Sequence, residues 1–108
     1  MPVNLPDALI EYFAAANSDD AARVAACFTS DAIVHDERRD IRGRPAIRAW
    51  AEETRRKYRY HVEATAAEAT ADQTIVTAHL AGDFPGSPID VNYRFTLADS
   101  KIARLEIG

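Results

Sequence analysis

Asp36 closes the apolar run Ala32-Ile33-Val34, one residue after His35. A carboxylate at the end of such a run, facing a closed pocket, has its charged form desolvated. Its pKa then rises toward the range useful for moving a proton next to a carbonyl. Tyr12 lies two helical patterns upstream. A buried phenol there can stabilise the enolate that such a transfer creates, because pre-aimed donors count for more in a dry site. The same residues admit a plainer reading. Asp36 could cap a turn or pair with Arg38, Arg39 or Arg42, and Tyr12 could fill an amphipathic core position. His35 and Glu37 flank Asp36 and should point to the opposite face, so the three do not converge as metal ligands. His61 and His79 fall on the more polar faces of later strand patterns, which suits exposed or interface roles. The lone Cys27 sits in an apolar helical pattern and reads as a buried, inert thiol. No glycine-rich phosphate loop, nucleophile elbow or metal-binding motif is present.

The elements that must position Asp36 and Tyr12 come in two blocks. Leu5 to Ala16 carries Leu9, Ile10, Phe13 and Ala16 at helical spacing, with Pro6-Asp7 in the first turn. Asn17-Ser18-Asp19 breaks it, and Asp20 to Phe28 is a second helix ended by Thr29-Ser30-Asp31. Ala32 to Asp36 is a short strand with Ile33 and Val34 at its centre. Glu37 to Gly43 is a charged turn or hairpin, and Pro45 starts a third helix over Ala46 to Tyr58, with Ile47, Trp50 and Ala51 inward. The period then changes. Tyr60 to Ala69 alternates, with Val62, Ala64 and Ala66 on one face. Thr74 to Ala81 alternates likewise, with Val76, Ala78 and Leu80 together. A turn-rich Gly82 to Pro88 leads to Ile89 to Leu97, where Ile89, Val91, Tyr93, Phe95 and Leu97 share a face. Asp99-Ser100 turns into a last strand, Lys101 to Ile107. Helices followed by consecutive alternating strands mean α+β with a mainly antiparallel sheet. The space between the layers is a core, or a cone-shaped pocket if side chains leave it unfilled. Trp50, Tyr93 and Phe95 are then core residues or the lining of that pocket.

With 108 residues this is one domain over 1–108. The net charge of −4 and pI near 5.3 give no basic footprint for nucleic acid. Arg55-Arg56-Lys57 reads as a helix C-terminal turn, where cations complement the dipole. One cysteine allows no internal disulfide. The N-terminal stretch shows no signal peptide and no membrane span, so the expectation is cytoplasmic, with no membrane partner.

The chain resembles the nuclear-transport-factor-2-like superfamily, in its polyketide-cyclase (SnoaL-like) and ketosteroid-isomerase branches. The resemblance rests on Tyr12-Phe13, Cys27-Phe28 leading into Asp31-Ala32, Val34-His35-Asp36, Gly43-Arg44-Pro45-Ala46-Ile47 and Trp50. Asp90 to Phe95 and Asp99-Ser100-Lys101-Ile102 add to it. It implies a cone-shaped α+β barrel with three N-terminal helices on a curved sheet. It also implies cofactor-free acid–base chemistry on a hydrophobic carbonyl compound, or a non-catalytic ligand-binding or protein-interaction module of the same fold. Asp36 falls where the isomerase branch keeps its general base, and Tyr12 where it keeps an oxyanion-donating tyrosine. Phe28 takes the place of a second aromatic that supports the first, and Trp50 that of a pocket-lining aromatic. The isomerase's second acid would fall at Val91, while Asp90 alternates to the opposite face. The expected ligand contacts are thus Phe28, Trp50, Val91, Tyr93 and Phe95, without a metal. Small domains of this superfamily often pair through the polar sheet face. That analogy implies a homodimer through Glu63, Thr65, Thr77, His79, Asn92, Arg94, Arg104 and Glu106.

Overall fold

The computed structural model describes residues 4–108. Helix α1 (Asp7–Asn17) starts behind Pro6 and buries Leu9, Tyr12, Phe13, Ala15 and Ala16, the face expected from its spacing. Its last residue clamps it to the sheet. The Asn17 amide donates to the Val62 carbonyl and accepts from the Val62 N–H, both at 2.8 Å. Helix α2 (Ala21–Ala26) is capped by Asp20, whose carboxylate accepts from the Arg23 N–H. This helix is shorter than its apolar pattern suggests. Strand β1 (Phe28–Asp36) begins at Phe28, because the Cys27 carbonyl accepts from Ile102 N–H and Phe28 registers against Ile102. Pairing with the last strand overrides the local helical pattern. Thr29-Ser30-Asp31 is therefore an irregular part of β1, where the register shifts, rather than a helix end.

Strand β2 (Arg39–Arg42) returns along β1 through a two-residue turn, Glu37-Arg38, with both residues at positive φ (51° and 63°). That is the hairpin geometry whose twist matches the strands, here built without the usual glycine or asparagine. Gly43 (φ 83°, ψ 156°) then precedes helix α3 (Arg44–Tyr58), in a backbone region essentially reserved for glycine. Pro45 sits in the first turn of α3, and Ile47 and Trp50 face inward.

Strands β3 (His61–Ala69), β4 (Thr74–Ala81), β5 (Ile89–Ala98) and β6 (Lys101–Ile107) complete one six-stranded sheet, ordered β2-β1-β6-β5-β4-β3. All neighbours are antiparallel except β1 and β6, which are parallel. The sheet stays open, with β2 and β3 at its edges, and does not close on itself as a barrel. A bulge at Thr65 moves Ala66 opposite Thr77, so Ala66 leaves the Val62–Ala64 face on which simple alternation put it. Gly82 follows β4, where an added Cβ would come within 2.7 Å of the Tyr58 carbonyl oxygen and the Tyr60 Cα. Only glycine lets the β4–β5 loop lie this close to the end of α3.

Between the helices and the concave face lies an aromatic cluster. Tyr12 meets Phe13, Phe28, Tyr93 and Phe95 edge-on, with ring centroids 5.2, 6.0, 6.2 and 5.5 Å away. These are the favoured geometries for aromatic pairs. The opposite face of the sheet is polar. His79 and Asp90 pair across β4 and β5 at 2.9 Å, and Arg104 and Glu106 pair along β6.

Candidate active site

The concave side does not fill completely. A cavity of about 400 Å³ remains between α1, α3 and the sheet. At about 30 Å³ per water this is room for roughly a dozen waters. It falls in the size range of small-molecule sites. Buried Tyr12, Trp50 and Tyr93 mark its inner wall, while exposed Glu37, Pro85 and Ile89 mark its mouth.

Strand β1 delivers Asp36 to this wall as its last residue. Helix α3 crosses β1 and places Trp50 so that its indole N–H donates to Asp36 Oδ2 at 3.0 Å. Burial pushes the Asp36 carboxyl above the ordinary aspartate value. The Trp50 N–H opposes that shift, and the neighbouring Glu37 charge adds to it. Asp36 makes no ion pair with an arginine among the described residues. The arginine-pair reading therefore gives way to a carboxylate that accepts from the Trp50 indole and lies against the Glu37 backbone N–H.

Tyr12 and Tyr93 are 2% and 3% exposed, and both line the cavity. Burial holds both phenols well above the usual tyrosine range, and the Asp36 charge adds to the shift. They stay protonated donors at neutral pH. Tyr60 is raised in the same way and also lines the cavity. Val91 joins Leu80, Phe84, Ile89 and Ile107 in an apolar wall. Asp90 is turned away, bonded to His79 on the outer face.

The structure thus brings Asp36, Tyr12, Trp50, Val91 and Tyr93 around one cavity. Phe28 and Phe95 are fully buried and lie behind the wall rather than on it. They pack edge-on against Tyr12 and brace its ring. His35 lies away from the cavity, bonded to Asp40 at 2.7 Å. Glu37 departs from the expected alternation. Its positive φ turns it to the cavity mouth, where it accepts from the Tyr58 hydroxyl at 2.5 Å and lies 3.8 Å from Lys57. Tyr58 in turn meets Phe84 edge-on at 5.8 Å. Among the described residues, no group of three His, Cys, Asp or Glu side chains could hold a metal.

Sequence reasoning passed over Tyr60, Tyr58, Thr54 and Phe84. Tyr60 shares the parity of Val62, which was a usable signal. Phe84 stood out as an aromatic inside a Gly- and Pro-rich connection. Nothing local marked Tyr58 or Thr54, because they reach the cavity through the placement of α3.

A family model of the SnoaL-like domain matches residues 9–105. The chain belongs to the SnoaL-like domain family. A candidate polyketide cyclase from Sinorhizobium meliloti is 36% identical, with a TM-score of 0.92 over 96% of this chain and 95% of that one. A protein of ketosteroid-isomerase-like fold from Catenulispora acidiphila, solved with trimethylamine, is 19% identical. Its TM-score is 0.86 over 97% of this chain and 86% of that one. SalBIII, an epoxide hydrolase/cyclase-like enzyme in pyran ring formation in the polyether salinomycin, is 20% identical. Its TM-score is 0.79 over 94% of this chain and 86% of that one. The last two likenesses speak to the fold alone. No curated protein matches. As a SnoaL-like domain the chain shares its architecture with a candidate polyketide cyclase and with a protein of ketosteroid-isomerase-like fold. None of its described helices is long and apolar enough to cross a membrane.

Proposed function

We propose that this SnoaL-like protein is a small-molecule isomerase or cyclase that moves a proton beside a carbonyl without a cofactor. One observation carries the reading: Asp36 stands on the wall of an apolar cavity, with one carboxylate oxygen held by Trp50. Held this way, the carboxylate takes a proton from carbon on its cavity side, and its raised pKa strengthens it as a base. Tyr12, kept protonated by burial, supplies a donor to the oxygen on which negative charge develops. Trp50 is a positioning residue for Asp36, and Val91 and Tyr93 contact the substrate. Leu80, Phe84 and Ile89 favour a hydrophobic substrate of one or two fused rings over a charged one.

The outer sheet face, with Thr77, His79, Asn92, Arg94, Arg104 and Glu106, forms a two-fold homodimer in this proposal. A buried free Cys27, its thiol pushed up to about 11, fits a reducing cytoplasm.

The test is solvent deuterium exchange at the α-carbons of 2-tetralone and 1-indanone, followed by NMR. Wild type accelerates exchange, and Asp36→Asn lowers the rate about 10²- to 10⁴-fold, the usual loss for a general base. If neither protein exchanges any ketone of this class, the domain is a binding module and the enzyme reading is lost.

A further inference from the structure

The two buried phenols of the inner wall raise a question of hydrogen bonding. Tyr12 and Tyr93 are almost completely buried, yet neither hydroxyl bonds to any described residue. Nor is either among the buried polar atoms left without a partner, of which the described residues have none. Each hydroxyl therefore opens onto the cavity. A phenol kept in an apolar wall with nothing to donate to is costly unless something in the cavity accepts the bond.

Tyr93 stands two residues beyond Val91 on β5, on the same concave face, and its ring centre is 6.2 Å from that of Tyr12. Val91 has no proton to give. Asp90, the neighbouring acid, is committed to His79 on the outer face. We propose that Tyr93 is the second donor of the site, so that Tyr12 and Tyr93 together bind one anionic oxygen, that of an enolate or a phenolate, opposite Asp36. This rests on the proton-transfer reading above and adds the residue that completes it. When Asp36 removes a proton from carbon, the C–H electron pair moves into the carbon framework, and the carbonyl oxygen takes up the negative charge. Two neutral phenols meet that charge. Asp36, now protonated, no longer repels it, and returning its proton to another carbon closes the cycle with no other reactant.

Substituted phenols test this directly, since a phenolate copies the charge and shape of an enolate. The experiment uses the Asp36→Asn protein, which holds the base in the neutral state it has after abstraction. 4-Nitrophenol is titrated in, and its phenolate absorbance is followed at a pH below its own pKa. The expected result is a bound phenolate. Adding Tyr93→Phe weakens it about tenfold to a hundredfold, the range for a hydrogen bond to a charged oxygen, and adding Tyr12→Phe does the same. Should Tyr93→Phe fail to fold, proton NMR of the Asp36→Asn complex decides, with two strongly downfield hydroxyl resonances expected. An affinity unchanged within twofold by Tyr93→Phe, a single downfield resonance, or no phenolate binding overturns the assignment. Ketone exchange that depends on Asp36 would survive any of these results, so the two readings fail separately.

Discussion

Tyr12 divides the interior into two halves that use the same kinds of residue to opposite ends. Toward Phe28, Phe95, Ile102 and Leu105, side chains interlock and every one is fully buried. Toward Asp36, Trp50, Tyr60 and Tyr93, equally large side chains stand back and leave about 400 Å³. The filled half holds no polar side-chain group. The hollow half collects two carboxylates, an indole N–H, a threonine hydroxyl and four phenols. The difference lies in what stands opposite each residue. Phe28 and Phe95 face the ring of Tyr12, whereas Val91 and Leu80 line the cavity. The filled half contributes rigidity, and the hollow half uses that rigidity to hold a partly desolvated acid in place.

The largest expected effect comes from carving space into the filled half. Phe95→Ala should cost about 3–5 kcal/mol, read from the urea midpoint, because no neighbour can collapse into the gap. Val91→Ala, beside space that is already empty, should cost about 1 kcal/mol or less, at the low end for a shortened buried aliphatic chain. Equal losses would erase the distinction between the halves. A smaller effect is expected at the indole. Trp50→Phe removes the donor that opposes the burial of Asp36, so the acid limb of the exchange pH profile should move to higher pH. The rate should fall about tenfold, the worth of one hydrogen bond to a charged group. An unmoved limb would mean that the indole does not tune the acid.

The smallest effect is on stability. Because the folded pKa of Asp36 lies above its unfolded value, the contribution of Asp36 to stability is greatest below the ordinary aspartate pKa. It is lost as pH rises through the folded pKa. Asp36→Asn removes that loss. It should melt at a higher temperature than wild type at pH 7, and the gap should close as pH falls below the ordinary aspartate range. A lower melting temperature at pH 7 would show that the carboxylate stabilises the fold.

The sequence disclosed the face that β4 and the middle of β5 turn inward, since Val76 alternates with Ala78 and Tyr93 with Phe95. It also marked Asp36 as the acid at the end of an apolar run. It could not say whether a residue facing inward meets a partner or a void. Phe95 and Val91 share one face of one strand, and only the placement of α1 and α3 separates their fates. Phe28 leaves the helix that its local pattern implies because its pairing partner, Ile102, lies far along the chain. Glu37 eluded alternation because the hairpin takes positive φ without a glycine to announce it.

The central claim is that Asp36 is a titrating acid held in the hollow half by Trp50. Its most direct measurement is the pH titration of the Asp36 carboxyl carbon by ¹³C NMR, with Asp36→Asn fixing the assignment. The account predicts a midpoint above the ordinary aspartate value, moving higher still in Trp50→Phe. A midpoint at or below the ordinary value, unmoved by that substitution, would contradict it.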